Sequence, residues 1–173
     1  MLRVLEIKQY DVINGPGVRC SIWLAGCSNH CKGCWSPQTW NPNQGDVYQD
    51  CKRKIDKITD NPNIDGVSIL GGDPFYWVFQ NAKEETDELL QLLDICKVNA
   101  KNVWVWSGYT FEQIYDKCPE ALRYIDVLVD GPFQEDEKDL NLYWRGSANQ
   151  RVIDVQQSLL NKEICLMSYQ SKQ

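Results

Sequence analysis

Hydrophobic residues recur along this chain at two spacings, and each spacing predicts a different secondary structure. Short apolar runs rich in β-branched residues predict strands at residues 2–8, 18–24, 65–70, 102–106, 125–129, 151–154 and 163–167. Apolar residues three or four positions apart predict helices from an N-cap at Asp46 to Asn61 and near residues 81–98, 110–117 and 155–161. Because strands and helices alternate, we expect an α/β fold with a mostly parallel sheet and right-handed crossovers.

Polar or glycine-rich residues follow three of these strands. They are Gly71-Gly72-Asp73-Pro74, Ser107-Gly108 and Asp130-Gly131. The carboxyl ends of parallel strands meet at one edge of a sheet, so we expect these tips to converge with the loop after strand 18–24. Taken alone, the glycine pair is more typical of a tight turn. The segment Asn14–Gly17 either closes a plain hairpin or forms a wall of the same site.

Composition narrows the class of protein. A chain of 173 residues fits one domain, residues 1–173, with one sizeable core. The formal charge is −6 and the basic residues form no cluster longer than residues 52–54, which disfavours nucleic-acid binding. No apolar run approaches the ~20 residues that span a bilayer, and the N-terminus lacks the apolar segment of a signal peptide. We therefore expect a cytoplasmic protein with reduced thiols.

The candidate chemistry lies in residues 27–34, where Cys27, Cys31 and Cys34 have the spacing C-x3-C-x2-C. With 8 cysteines among 173 residues, chance produces this spacing about 0.02 times per chain. Thiolates in short loops bind soft metals and iron–sulfur clusters. Three thiolates on a four-iron cluster leave one iron open, and an open iron can chelate a small molecule.

A structural zinc site is the alternative, with His30 or Cys20 as the fourth ligand. Such sites usually pair one C-x2-C with a second, distant pair. The remaining cysteines form no such pair, since Cys20, Cys51, Cys96, Cys118 and Cys165 are scattered singly. The spacing therefore favours an iron–sulfur cluster over zinc.

Seven segments resemble the radical S-adenosylmethionine (SAM) superfamily, and within it the activating proteins of anaerobic ribonucleoside-triphosphate reductases, which are glycyl-radical enzyme activases. In family order they are Asn14–Arg19, Gly26–Cys34, Thr39–Gly45, Gly71–Pro74, Trp106–Glu112, Asp126–Phe133 and Arg145–Asp154. The resemblance implies a partial, incomplete radical-SAM-type β/α barrel as a single domain. It also implies one [4Fe–4S] cluster per chain and SAM as cofactors.

The resemblance also implies roles for individual residues. Cys27, Cys31 and Cys34 would hold the cluster, and the amino and carboxylate groups of SAM would chelate the open iron. The backbone of Gly71, Gly72, Asp73 and Pro74 would contact the methionine amino group, and that of Gly33, Cys34 and Trp35 would lie along the adenine. Ser107 and Asp130 would contact ribose or methionine. Asp73 replaces the usual glutamate of this motif, and the aromatic segment Phe75–Phe79 has no counterpart that we can explain.

The activity implied is reductive cleavage of SAM, followed by formation of a glycyl radical on the partner reductase. A flavodoxin would be the electron donor by family analogy. The 135–149 loop, with Trp144 and Arg145, is a candidate for the partner contact, and a plain packing loop explains it equally well. The alternatives are an activase of another glycyl-radical enzyme, such as pyruvate formate-lyase, and a non-catalytic, zinc-stabilised binding module.

Overall fold

A single mixed sheet organises the computed structural model, which describes residues 1–99 and 102–168. Within these residues the sheet has eight strands. They are β1 (Arg3–Asp11), β2 (Arg19–Leu24), β3 (Asp46–Val47), β4 (Gly66–Gly71), β5 (Val103–Trp106), β6 (Val127–Asp130), β7 (Arg151–Asp154) and β8 (Cys165–Leu166). All seven strands expected from the sequence are present, and the two-residue β3 is the addition.

The strands lie in the order β3-β1-β2-β4-β5-β6-β7-β8. The four central strands, β2, β4, β5 and β6, are parallel to one another. The flanking strands pair antiparallel. The expectation of a mostly parallel sheet is therefore confirmed for the centre and not for the edges. At the first edge the reason is chain length, because residues 12–18 are too few for the crossover that a parallel pair requires.

The helices follow the sequence pattern, with two short additions. They are α1 (Tyr48–Thr59), α2 (Tyr76–Phe79), α3 (Lys83–Asn99), α4 (Phe111–Lys117), α5 (Pro119–Leu122) and α6 (Val155–Asn161). The capping box of α4 is confirmed, since Thr110 and Gln113 cap each other reciprocally. The N-cap at Asp46 is wrong: Asp46 pairs with Val4 in the sheet, and α1 begins after Val47 without a side-chain cap.

The two faces of the sheet are buried by different means. Cys20, Ile22 and Leu24 of β2 point into one hydrophobic core that also contains the buried residues of α1, α3, α4 and α5. Their neighbours in β2 point to the other face, which carries a smaller cluster around Trp104 and Val129. The long helices thus cover one face and leave the other for a site. Within the described residues, none of the helices is both long and apolar enough to cross a membrane.

Candidate active site

A cavity of about 670 Å³ opens at the carboxyl ends of the parallel strands. Its wall combines the cysteine loop after β2 with Gly71–Gly72 at the end of β4, Ser107–Gly108 after β5 and Gly131 after β6. The expected convergence of the strand tips is therefore confirmed. Ile13 and Asn14 line the same cavity, so the turn between β1 and β2 contributes to its wall.

Cys27, Cys31 and Cys34 all line this cavity. Backbone hydrogen bonds set their positions: Gly26 N–H donates to Thr39 O at 2.9 Å, and Cys27 N–H donates to Trp40 O at 3.2 Å. A tight turn then brings Cys34 N–H to 3.1 Å from Cys31 O. The loop can fold this way because His30 and Gly33 adopt positive φ angles of 43° and 73°.

The surroundings of the three sulfurs fit an iron–sulfur cluster. Burial raises the pKa of the Cys27 and Cys31 thiols, and backbone N–H groups of Asn29 and Phe133 partly oppose that shift. Ser36 N–H lies 3.4 Å from Cys34 Sγ. Cluster thiolates accept such N–H···S bonds, which tune the cluster. The donor set therefore suits a [4Fe–4S] cluster, whose ligands bind separate irons and need not converge on one point.

Neither of the two fourth ligands that the sequence offers for zinc lines the cavity beside the motif cysteines. Cys20 is fully buried in the core on the helix-covered face. His30 packs against the Trp40 ring, with centroids 4.6 Å apart, and does not line the cavity. Across residues 1–99 and 102–168, no three side chains of His, Cys, Asp or Glu are grouped to hold one metal ion.

Asp73 ties three loops of the site together. Its carboxylate accepts hydrogen bonds from Asn29 Nδ2 at 3.0 Å, Ser107 Oγ at 2.8 Å and the N–H groups of Phe75 and Gly108 at 3.0 and 2.8 Å. Burial raises the pKa of Asp73 to about 6, against the lowering effect of these donors. The Asp73 side chain is thus occupied within the protein and does not line the cavity.

The glycines before Asp73 allow two backbone segments to pack closely at the edge of the cavity. A Cβ at Gly72 would collide with the carbonyl oxygen of Gly26, and Gly71 has a φ of 123°. Both line the cavity, whereas Pro74 does not. Close packing of two backbone segments explains this pair of glycines, so the turn is a structural requirement of the site's floor.

The Asp130 side chain points away from the cavity. Its carboxylate accepts from Phe111 N–H at 2.7 Å and from Arg151 Nε at 2.9 Å, and Arg151 also pairs with Glu112. These partners belong to α4 and β7, and Asp130 does not line the cavity. The structure therefore separates the Asp130 side chain from the other predicted contacts, while the adjacent Gly131 reaches the site.

The two residues that flank Cys34 are placed differently. Trp35 lines the cavity mouth with 62% of its surface exposed, and Lys138 Nζ lies 4.7 Å above its ring. Gly33 faces Glu135, which pairs with Lys32 at 3.0 Å. Gly33 itself does not line the cavity. The 135–149 loop therefore contacts the cysteine loop through exposed side chains, in what we call the clasp.

Sequence reasoning missed the apolar wall of the cavity. It is formed by Trp23, Leu70, Trp106 and Trp144. Three of them stand at the ends of β2, β4 and β5 on the face opposite the helices. Their positions could have been found from strand alternation, because residues two apart share a face. Trp144 packs edge-on against Trp104, which supports the packing interpretation of this residue.

The aromatic segment Phe75–Phe79 acts as a scaffold behind the site. Phe75 is fully buried, and Phe79 stacks on Tyr109 with ring centroids 3.6 Å apart. The Tyr109 hydroxyl in turn hydrogen-bonds Ser28 in the cysteine loop at 2.7 Å. The segment thus supports the loop from outside the cavity, which accounts for Phe75 and Phe79.

Comparison with known proteins agrees with this geometry. A family described as a 4Fe-4S single cluster domain matches residues 13–153. The anaerobic ribonucleoside-triphosphate reductase-activating protein of Vibrio cholerae is 41% identical over 145 residues, covering 81% of this chain and 90% of the relative. The chain belongs to this family of activating proteins.

Two further members of the reductase-activating family are similar to this chain over most of its length. The protein of that name from Escherichia coli is 35% identical over 149 residues, covering 82% of this chain and 92% of its own. That from Enterobacteria phage T4 is 34% identical over 148 residues, covering 85% and 90%. The match to a 4Fe-4S domain includes all three cysteines of the motif, which agrees with a cluster rather than zinc.

Proposed function

We propose that this chain is a radical SAM activase that generates a glycyl radical on an anaerobic ribonucleoside-triphosphate reductase. The observation that carries the proposal is the placement of three motif cysteines on one cavity, at the carboxyl edge of parallel strands, in a member of the reductase-activating family. When bound, the cluster supplies the electron that cleaves SAM to methionine and a 5′-deoxyadenosyl radical, which takes a hydrogen atom from the target glycine.

The residues of the chain divide the work of the site. Cys27, Cys31 and Cys34 hold the cluster at the cavity wall. Gly71 and Gly72 are half-buried and line the cavity, where they offer a backbone contact to the methionine part of SAM. The backbone around Trp35 lies along the adenine. Asp73 does not reach SAM through its carboxylate, since that group holds Ser107 and Asn29 in place.

A water-poor cavity is a requirement of this chemistry, because a primary alkyl radical reacts with almost any C–H bond it meets. The wall of Trp23, Leu70, Trp106 and Trp144 supplies it. The open mouth beside Trp35 and Leu140, which is 66% exposed, leaves room for a segment of the reductase. We therefore assign the exposed part of the 135–149 loop to the partner contact.

The finer fold assignment is a partial radical-SAM-type barrel comprising residues 1–173 as one domain. Support comes from the unbroken order β2-β4-β5-β6 and from the placement of the long helices on one face. Both are features of a singly wound barrel, in which ligands bind at the carboxyl ends of the strands. The antiparallel flanks leave the barrel incomplete.

We assign this protein to the cytoplasm. All eight cysteines lie within the described residues and are free, which suits the reducing cytoplasm.

A low-potential one-electron donor must reduce the cluster, and a flavodoxin is our candidate. Mixing reduced flavodoxin with the holoenzyme and SAM should produce methionine, and no turnover with this donor would exclude it.

Electron paramagnetic resonance of the anaerobically reconstituted, reduced protein tests the function. We expect a [4Fe–4S]⁺ signal whose shape changes when SAM is added, followed by a glycyl radical signal when the reductase is present. A cluster signal indifferent to SAM would leave an electron carrier. A SAM-dependent signal without radical on the reductase, but with radical on pyruvate formate-lyase, would move the chain to the other branch of activases.

A further inference from the structure

Arg145 lies in the cavity with an unused side chain. It lines the same cavity as the three cysteines and Gly71–Gly72. Its Nε is shielded from solvent and has no hydrogen-bond partner. Among the described residues, no ion pair engages the guanidinium either. Burying a hydrogen-bond donor without an acceptor costs free energy, so such donors are rare in native structures and often belong to ligand sites.

The other arginines near the site are fully engaged. Arg19 donates from Nε to Ser68 Oγ at 2.7 Å and from its terminal nitrogen to Val67 O at 2.8 Å. Arg151 binds the carboxylates of Asp130 and Glu112. These two have structural roles that their contacts explain. Arg145 differs because it lines the cavity and its buried Nε has no hydrogen-bond partner.

The backbone on both sides of Arg145 is held in place. Trp144 adopts a φ of 63°, which is unusual for a tryptophan, and its carbonyl accepts the Trp106 indole N–H at 2.7 Å. Gly146 N–H donates to Gln150 Oε1 at 2.9 Å. A strained residue that neighbours persistently fix is a common feature of ligand sites. These contacts fix the backbone on either side of Arg145.

The chemistry of a guanidinium selects the group that it binds. Its planar pair of N–H donors matches a carboxylate bidentately and repels cations. Under the proposed function, the small molecule in this cavity is SAM, which carries a positive sulfonium, a positive ammonium, and neutral adenine and ribose. Its single anionic group is the α-carboxylate.

We propose that Arg145 binds the α-carboxylate of SAM and thereby orients the methionine part of the molecule at the cluster. The inference rests on the proposed function, since it takes SAM as the ligand. It reassigns Arg145 from the partner contact that the sequence suggested to the small-molecule site.

The test is equilibrium binding of SAM and of decarboxylated SAM to the anaerobic holoenzyme. In Arg145→Gln we expect SAM affinity to fall roughly 10- to 100-fold, the usual effect of losing a charge-assisted hydrogen bond. Affinity for decarboxylated SAM should stay within about twofold of the wild-type value. Arg145→Lys should fall between, because lysine keeps the charge but loses the planar fork.

Arg53→Gln is the matched control, because Arg53 is exposed on α1 and lies outside the cavity. It should leave both affinities unchanged. Equal losses for the two ligands in Arg145→Gln, with iron content intact, would overturn the proposal in favour of a general structural role. Unchanged binding of both would also overturn it. A wild-type holoenzyme that binds neither ligand would instead refute the proposed function itself.

Discussion

The two faces of the central sheet are built from the same strands and serve opposite purposes. On the helix-covered face, alternate residues of β2 and β4 pack into one continuous apolar core. On the other face, Arg19 and Ser68 of these strands form a buried hydrogen bond, and Trp23 and Leu70 line the cavity. The comparison shows that burial alone does not identify a residue's role. A residue's role depends on whether its side chain packs against a helix or borders a space that a ligand can enter.

Cysteines provide the sharpest contrast between the faces. Cys31→Ser should lower bound iron from about four atoms per chain to a small fraction of that, since three thiolates are needed to hold the cluster. Cys20→Ala, on the helix-covered face, should retain full iron content. Iron and sulfide analysis after anaerobic reconstitution measures both. Loss of iron in Cys20→Ala, with the fold intact by circular dichroism, would contradict the separation of the faces.

Two leucines in adjacent strands compare the packing. Leu24 is fully buried under the helices, whereas Leu70 lines the cavity. Leu24→Ala should lower the free energy of unfolding by about 3 kcal/mol, because it leaves a void in a packed core. Leu70→Ala should lower it by less than about 1 kcal/mol, since the lost side chain already borders open space. Urea unfolding of the anaerobic proteins gives both values, and equal losses would refute the contrast.

Asp73 allows a test by pH. Its pKa is raised from 3.8 to about 6 by burial, so the folded state binds a proton more tightly than the unfolded state. Stability from this group is therefore greatest at low pH and falls as pH rises through 6. Between pH 5 and pH 7 the unfolding free energy of the wild type should fall by about 1 kcal/mol more than that of Asp73→Asn.

The matched variant for Asp73 is Asp130→Asn, at the end of β6. It breaks the pair with Arg151 and should destabilise the protein at both pH values. It should nevertheless leave the iron content per folded chain unchanged, because Asp130 does not contact the cysteine loop. A pH response in Asp73→Asn equal to that of the wild type would exclude Asp73 as the titrating group.

The smallest effect concerns the exposed clasp between the cysteine loop and the 135–149 loop. Lys32 and Glu135 are 86% and 42% exposed in their side chains. Exposed pairs contribute little, so Glu135→Gln should change the melting temperature by no more than about 2 °C. Differential scanning calorimetry measures it. A larger drop would show that the clasp stabilises the site more than its exposure indicates.

Local patterns in the sequence determined much of this protein. The alternation of strands and helices predicted the parallel centre, and the Thr110–Gln113 pair predicted a real helix cap. The spacing of Cys27, Cys31 and Cys34 pointed to residues that line the cavity. These signals are local, because they depend on residues a few positions apart. The prediction of an N-cap at Asp46 was wrong for a non-local reason, because Asp46 pairs with the distant strand β1.

Only the tertiary structure decided which polar residues face the ligand. Asp73 and Asp130 both follow strands and look alike in sequence, yet each is satisfied by distant partners that occupy its carboxylate. Arg145 begins one of the segments that resemble the family, yet its place at the cavity became visible only once the 135–149 loop had folded against the cysteine loop. The physical reason is that side-chain pairing depends on contacts between residues far apart in sequence, which local patterns do not encode.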